Sequence, residues 1–525
     1  MRIQWNNLDQ TKSYALLRQT DNLVDLKDDL TADRIHSWSI PAGGGLDYYY
    51  GASMVSETDL DRLQTLADEQ QLIKKYKAVL NGEIINKGEN RRVLHHLTRG
   101  ELGEKVMDDG VNLRDFYREQ HQRIRNFVDK VHSGIITGST GKKFDTAVQI
   151  GIGGSDLGPR ALYLALKQFH TPKMRAFFVS NVDPGDAADV IPLINPETTL
   201  FILVSKSGAT QETLANKNLL IERMRGLGIP GYKASSHLIA VTSKTSPLAG
   251  SPNVLDAFYI DDSIGGRFSS TSAVGDVILS LTLSSQVFEQ LLEGAHEADQ
   301  RALSPEIRHN ATLMDAMIAV FNRNIVNLPT TAVLPYSQAL SRFPAHLQQL
   351  DMESNGKSVN RQGDALSYPT GPVLFGECGT NSQHSFYQLL HQGSDIVALQ
   401  FIGFRQSQGD EDIQFGGSSS QTKLNANLAA QIVAFAKGRE NTDPNKNFDG
   451  SRPSTLLVGD RLDAKTMGAL LAHYENKVMF QGFCWNINSF DQEGVQLGKI
   501  LTNELLEGSS QDASLTAYAA ILGVK

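Results

Sequence analysis

Short apolar runs alternate with helix-like segments through the middle of the chain. Five runs, each followed by small or polar residues, lie about 20–40 residues apart at 146–150, 175–180, 199–205, 237–243 and 257–262. This alternation is typical of βαβ units and predicts a parallel sheet. In such sheets ligands bind beyond the carboxyl ends of the strands, where the glycine- and serine-rich turns of this chain fall.

A second set of apolar runs follows at 330–337, 371–377, 395–404 and 454–460, and it predicts a second domain of the same kind. Residues 1–112 have mostly helical spacing, with a turn at 43–45, and the tail is helical from Asp491. We therefore predict an α/β fold with two doubly wound parallel-sheet domains, flanked by N- and C-terminal helical segments. The predicted limits are 1–112, 113–290, 291–510 and 511–525.

Two polar stretches are expected on the surface. Residues 405–423 are poor in apolar side chains and predict an exposed loop. The charged stretch 81–99 is interpreted as a solvated helix face followed by a loop.

Composition narrows the class of protein. A length of 525 residues predicts two or three domains, and a net charge of −9 argues against a nucleic-acid binder. Two distant cysteines, Cys378 and Cys484, suit a reducing compartment and form no zinc framework. The start of the chain has no apolar segment of the kind found in signal peptides. The sequence contains no run of about 18 apolar residues, so no membrane span is predicted. We expect a cytoplasmic protein.

The turn after the third run, SKSGATQET, is the strongest candidate for a ligand site. Ser205, Ser207 and Thr210 offer hydroxyls, Lys206 offers a positive charge, and the turn leads into a helix. This pattern predicts phosphate binding. The spacing is not that of a Walker loop, so nucleotide with magnesium is not expected.

Two other glycine turns are weaker candidates. GIGGSDLGP, at 151–159, could approach an anion through its backbone or be an ordinary turn, and its glycine spacing differs from the dinucleotide-binding fingerprint. In SIGGR, at 263–267, the two glycines leave space beside Arg267. That arginine either stabilises an oxyanion or forms a structural ion pair.

Acid–base candidates lie in the remaining polar stretches. Glu353, within SRFPAHLQQLDMESNGK, is a possible general base if its surroundings raise its pKa, and otherwise a solvated side chain. His384, at a helix start, is an acid–base candidate or a structural histidine, whereas His391 is interpreted as structural. Taken alone, Lys499 is interpreted as a surface lysine. Glu212, in the first turn of a helix, is interpreted as a partner for the helix dipole.

Taken together, these stretches resemble the phosphoglucose isomerase family, whose members interconvert glucose 6-phosphate and fructose 6-phosphate. GIGGSDLGP, SKSGATQET, IGGRFS, QQLDMESNGK, GTNSQHSFYQLLHQG and FDQEGVQLGK occur in the family's order, and NGEIINKGENRRVLHHLTR is similar to its N-terminal signature. The matches extend from about residue 81 to 502. The resemblance implies two sugar-isomerase (SIS) domains, a homodimer, a sugar-phosphate substrate, and no cofactor or metal.

The resemblance also implies a role for each matching position. Groups that bind the substrate would be Gly154, Ser155, Ser205, Lys206, Ser207, Thr210, Gly266 and Gln349. Glu353 would be the base that moves the proton between C1 and C2. Arg267 would be the cation next to the enediolate. His384 and Lys499 would open the sugar ring, with Glu212 orienting the histidine, which would come from the partner subunit.

The chain departs from the family pattern in three places. SKSGAT replaces a more usual Ser-Lys-Thr-Phe-Thr-Thr, Leu350 stands where glycine is common, and the tail after Lys499 is unlike the commonest ending. A non-catalytic SIS-type regulator that binds a sugar phosphate is the main alternative. Aminosugar isomerisation, a dinucleotide-dependent oxidoreductase and a secreted signalling role are the others.

Overall fold

Two sheets with helices on both faces form the framework, as the computed structural model of residues 3–20 and 23–524 shows. Residues 1, 2, 21, 22 and 525 of the predicted terminal segments lie outside the described residues.

The N-terminal part, predicted as a mostly helical segment, contains strands as well as helices. The elements are α1 (Lys12–Leu17), α2 (Leu26–Asp29), α3 (Ala32–Ser37), β1 (Ser39–Gly43), β2 (Leu46–Tyr49), α4 (Glu57–Glu69), α5 (Leu72–Leu80), β3 (Met107–Asp108) and β4 (Val111–Asn112). The turn predicted at 43–45 joins β1 to β2. Both strands extend the second sheet, because β2 pairs antiparallel with its last strand.

The stretch 81–99 contains no α-helix, and it is solvent-accessible in its charged first half but not, as its charge predicted, in its second half. His95, His96 and Leu97 are buried, and the guanidinium of Arg99 is held in the core by ion pairs with Asp299 and Glu475. Paired charges of this kind are the usual reason that an arginine can be buried.

The first sheet has five parallel strands in the order β6-β5-β7-β8-β9, at the places that the apolar runs predict. Its strands, together with the helices from this part of the chain, are α6 (Leu113–Ser133), β5 (Thr146–Ile150), α7 (Leu157–Leu166), β6 (Arg175–Val179), α8 (Pro184–Val190), β7 (Thr199–Val204), α9 (Gln211–Gly226), β8 (Leu238–Ser243), β9 (Asp256–Ile260), α10 (Ala273–Thr282), α11 (Ser285–Arg301) and α12 (Ala311–Asn324). Every residue of β5 and β7 is buried, as expected for strands covered by helices on both faces.

The second sheet has the order β1-β2-β15-β12-β10-β11. The remaining elements are β10 (Thr330–Pro335), α13 (Phe343–Gln348), β11 (Val373–Gly376), α14 (Tyr387–Gln392), β12 (Ala398–Phe404), β13 (Gln414–Phe415), β14 (Ser418–Ser419), α15 (Ser420–Lys437), β15 (Ser454–Gly459), α16 (Ala464–Cys484), α17 (Gln496–Leu506) and α18 (Ala513–Ile521). The predicted loop at 405–423 carries the small hairpin β13–β14. The domain limits remain predictions.

Helix α16 is the centre of the molecule and is buried at nearly every position. It lies against α11, and the two helices approach closely because each has a glycine at the contact. A Cβ built on Gly294 would overlap the carbonyl of Lys465, and one built on Gly468 would overlap the carbonyl of Leu291. A helix that is buried all round, as α16 is, belongs to a core.

Candidate active site

The segment that carries Glu353 is a π-helical turn, Gln349–Glu353, which continues from α13. Such turns are frequent at functional sites. The side chain of Glu353 is 18% exposed, and within the described residues its Oε2, like the Oε1 of Gln349, is buried without a hydrogen-bond partner. Because buried polar atoms nearly always have a hydrogen-bond partner, two acceptors on one turn that lack one indicate a place for a ligand.

Arg267 lies beside this turn and is 1% exposed. Its Nε donates to Ser354 Oγ at 2.7 Å, and its Nη2 donates to the carbonyls of Ser489 and Asp491 at 2.6 and 2.9 Å. Its Nη1 is 3.6 Å from Oε2 of Glu353. Burial lowers the pKa of Arg267, and the Glu353 carboxylate opposes this effect. Nη1, the remaining nitrogen, is thus directed at the carboxylate. The guanidinium and the carboxylate both border the candidate ligand position beside the π-helical turn.

Glycines bring the three loops of the site together. A Cβ on Gly154 would overlap the backbone of Gly266, so these two turns touch only because Gly154 lacks a side chain. Gly153 has φ +59°, and a Cβ there would lie 3.2 Å from Nε2 of Gln349. The sequence-predicted positions at 153–155, 266–267 and 349–353 are therefore neighbours.

The SKSGAT turn lies between the end of β7 and the start of α9. Ser205 and Thr210 bring their hydroxyl oxygens to 3.0 Å, and the Ala209 N–H donates to Ser207 Oγ at 3.2 Å. Gly208 has φ +68°, a conformation that favours glycine. Three hydroxyls therefore surround a helix N-terminus, where the helix dipole favours an anion.

Three predicted residues are not joined to this cluster. His384 and Lys499 are exposed and Glu212 is partly exposed. In the described part of the chain, none of their side chains makes a hydrogen bond or ion pair. His391 is structural, as expected: its ring stacks on Phe435 at 3.8 Å and its Nε2 pairs with Gln431 at 2.9 Å.

Several residues that shape the site had no assigned role in the sequence analysis. Ser354, Ser489 and Asp491 hold Arg267, and Asp491 also forms an ion pair with Lys357. Ser354 and Asp491 lie inside the matching stretches QQLDMESNGK and FDQEGVQLGK, which was the available signal. Backbone carbonyls such as that of Ser489 leave no signal in a sequence.

Over 3–20 and 23–524, no helix has the length and apolarity that crossing a membrane requires. The same residues contain no group of three or more histidine, cysteine or acidic side chains placed to hold a metal ion.

The two helix-flanked sheets, with a hydroxyl-lined turn at a strand end, define an α/β protein of the SIS class. The sequence model of phosphoglucose isomerase matches residues 49–521. The glucose-6-phosphate isomerase of Treponema denticola is 55% identical, covering 99% of this chain and 100% of that protein. The crystal structure of a glucose-6-phosphate isomerase from Chlamydia trachomatis superposes with a TM-score of 0.93 at 41% identity, covering 99% of this chain and 100% of that one. The chain belongs to the phosphoglucose isomerase family.

Proposed function

We propose that this chain is a glucose-6-phosphate isomerase, which interconverts D-glucose 6-phosphate and D-fructose 6-phosphate. The observation that carries the proposal is the Glu353 carboxylate, whose Oε2 accepts no hydrogen bond within the described residues and lies 3.6 Å from the buried guanidinium of Arg267. Relatives of this name cover nearly the whole chain. An aldose–ketose isomerase needs a base beside a cation, because moving a proton between C1 and C2 passes through an anion.

In the proposed mechanism, Glu353 takes the C2 proton of the open-chain aldose and returns it to C1. The intermediate is a cis-enediolate, and Arg267 stabilises its negative charge. The substrate phosphate binds the hydroxyls and lysine of 205–210, with Ser155 and the Gly154 backbone, while Gln349 and Gly266 border the sugar. Binding the remote phosphate orients the carbons that react. C2 is oxidised as C1 is reduced within the same molecule, so the reaction has no net redox change and requires no redox cofactor.

Ring opening is assigned to His384 and Lys499, with Glu212 orienting the histidine. We place His384 in the site of a partner subunit, which makes the protein a homodimer. Two observations support this assignment: His384 lies unpaired on the surface of the described chain, and the C-terminal helices expose apolar side chains, with Leu497 66% and Ile521 78% exposed. Exposed apolar clusters of this kind are typical of interaction surfaces.

A cytoplasmic location is part of the same proposal. Cys378 and Cys484 are buried free thiols, which suits a reducing compartment.

A coupled assay that converts fructose 6-phosphate to glucose 6-phosphate, with and without a chelator, tests the proposed function. We expect turnover that the chelator does not change. A protein that binds fructose 6-phosphate without turning it over would instead be the sugar-phosphate-binding regulator.

A further inference from the structure

The positive charge of Lys206, in the predicted phosphate-binding turn 205–210, is already paired. Nζ of Lys206 lies 3.1 Å from Oδ1 of Asp262 and 3.5 Å from the carbonyl oxygen of Ile264. Asp262 also approaches a second cation, because its Oδ2 is 3.9 Å from Nη2 of Arg91. The aspartate therefore neutralises charge beside the hydroxyls that would receive a phosphate.

This pairing links two loops of the site. Lys206 stands in the turn after β7, and Asp262 and Ile264 stand in the loop between β9 and Arg267. Both partners are accessible to solvent, and the side chain of Asp262 is 59% exposed. Exposed ion pairs are weak, so a phosphate that carries up to two negative charges can displace the carboxylate.

We infer that Asp262 sets the affinity for phosphate: it holds Lys206 while the turn is empty and releases it when a phosphate binds. This inference rests on the phosphate-binding part of the proposed function. Two costs oppose binding while the aspartate is present, namely the broken ion pair and the repulsion between carboxylate and phosphate.

Calorimetric titration with inorganic phosphate at low ionic strength tests this role. Asp262→Asn should bind phosphate about two- to fivefold more tightly than the wild type, which is the range expected for one exposed pair. Asp262→Glu keeps the charge and should bind like the wild type. Asp460→Asn is the matched control, because it also breaks an exposed ion pair, with Arg405 at 2.8 Å, away from the predicted phosphate turn. It should leave phosphate affinity unchanged.

The double variant Lys206→Ala/Asp262→Asn tests whether Lys206 is the cation through which Asp262 acts. If Asp262 acts through Lys206, removing the carboxylate should bring little gain once the lysine is absent. The gain in the single variant should also shrink at high salt, which screens exposed charges.

The inference is overturned if Asp262→Asn binds phosphate no better than the wild type, if the gain persists without Lys206, or if neither protein binds phosphate. These outcomes are separable from those of the isomerase proposal. A chain that shows the predicted phosphate affinities but no isomerase activity contradicts the proposed function alone. An active isomerase whose Asp262→Asn variant is unchanged contradicts only the role of Asp262.

Discussion

Arg267 combines a packing role with the chemical role proposed for it. Three of its hydrogen bonds go to Ser354, Ser489 and Asp491, which belong to two distant parts of the chain. These bonds fix the guanidinium plane, so the remaining nitrogen faces Glu353 without any further ordering. A lysine offers one nitrogen on a flexible stem and cannot make the same set of bonds.

We predict that Arg267→Lys lowers kcat by about 100-fold, which is the usual effect of losing one preorganised donor to a developing anion. The variant should also lose about 1–3 kcal/mol of unfolding free energy, because buried acceptors lose their donor. Steady-state kinetics and chemical denaturation measure the two effects. Arg175→Lys, on β6, is the control, and near-wild-type activity of Arg267→Lys would contradict the assigned role.

The residues of the site could largely be predicted from residue type and motif order, but the contacts between distant residues could not. Glu353, Gln349, Gly154, Gly266 and Arg267 come together as the motifs suggest. The pairing of Lys206 with Asp262 was not foreseen, because the two residues are separated along the chain and meet only through the order of strands in the first sheet.

The contact between α11 and α16 shows how glycines determine helix packing. We predict that Gly468→Ala destabilises the protein by about 1–3 kcal/mol, because the added methyl group meets the carbonyl of Leu291 and must push the helices apart. Gly226→Ala, near the end of α9, is the matched control: nothing lies within 4 Å of its built Cβ, so it should be neutral or slightly stabilising. Equal denaturation midpoints for the two variants would contradict the close approach of α11 and α16.

The π-helical turn also contains a buried acid that makes stability depend on pH. Burial raises the pKa of Asp351 to about 6, although Lys477 opposes the shift. The unfolded value is about 4, so between pH 4 and 6 the unfolded chain loses this proton while the folded chain keeps it. The stabilising contribution is therefore complete below pH 4 and is lost as the pH rises through 6.

We predict that the unfolding free energy of the wild type falls, relative to that of Asp351→Asn, by about 2–3 kcal/mol between pH 4 and pH 7. The asparagine variant cannot ionise at this position. Denaturant titrations across this range measure the difference, and parallel pH profiles for the two proteins would show that Asp351 does not titrate in the folded state as described.

The elements themselves were predictable to different degrees. The nine apolar runs all became strands of the two sheets, because buried parallel strands are nearly continuous apolar segments. Strands β1 and β2 were missed, since short half-buried strands look much like helix ends until a partner, here β15, is known. The burial of Arg99 was missed because its partners, Asp299 and Glu475, lie far along the chain.

The whole molecule raises the question of where His384 acts. It lies on the surface of one chain without a partner in the described residues, and the proposal assigns it to the site of a second copy. In a symmetric dimer each site would then take Glu353 from one chain and His384 from the other.

A subunit-mixing experiment tests this arrangement. Glu353→Gln and His384→Ala homodimers should each be nearly inactive. After subunit exchange each mixed dimer should have one intact site, and an equal mixture should recover about a quarter of wild-type activity. If both residues came from one chain, every site would keep a defect and nothing would be recovered. Mixing Glu353→Gln with Glu353→Ala is the control and should recover no activity.

Exchange of the C2 hydrogen of glucose 6-phosphate with solvent deuterium tests the proton transfer by Glu353 most directly. The wild type should incorporate deuterium during turnover. Glu353→Gln should slow both exchange and isomerisation by about 10²–10⁴-fold, while its affinity for a sugar-acid phosphate inhibitor stays within about tenfold of the wild type. Exchange at the wild-type rate in Glu353→Gln, or an equal loss of inhibitor affinity, would contradict the assignment of Glu353 as the base.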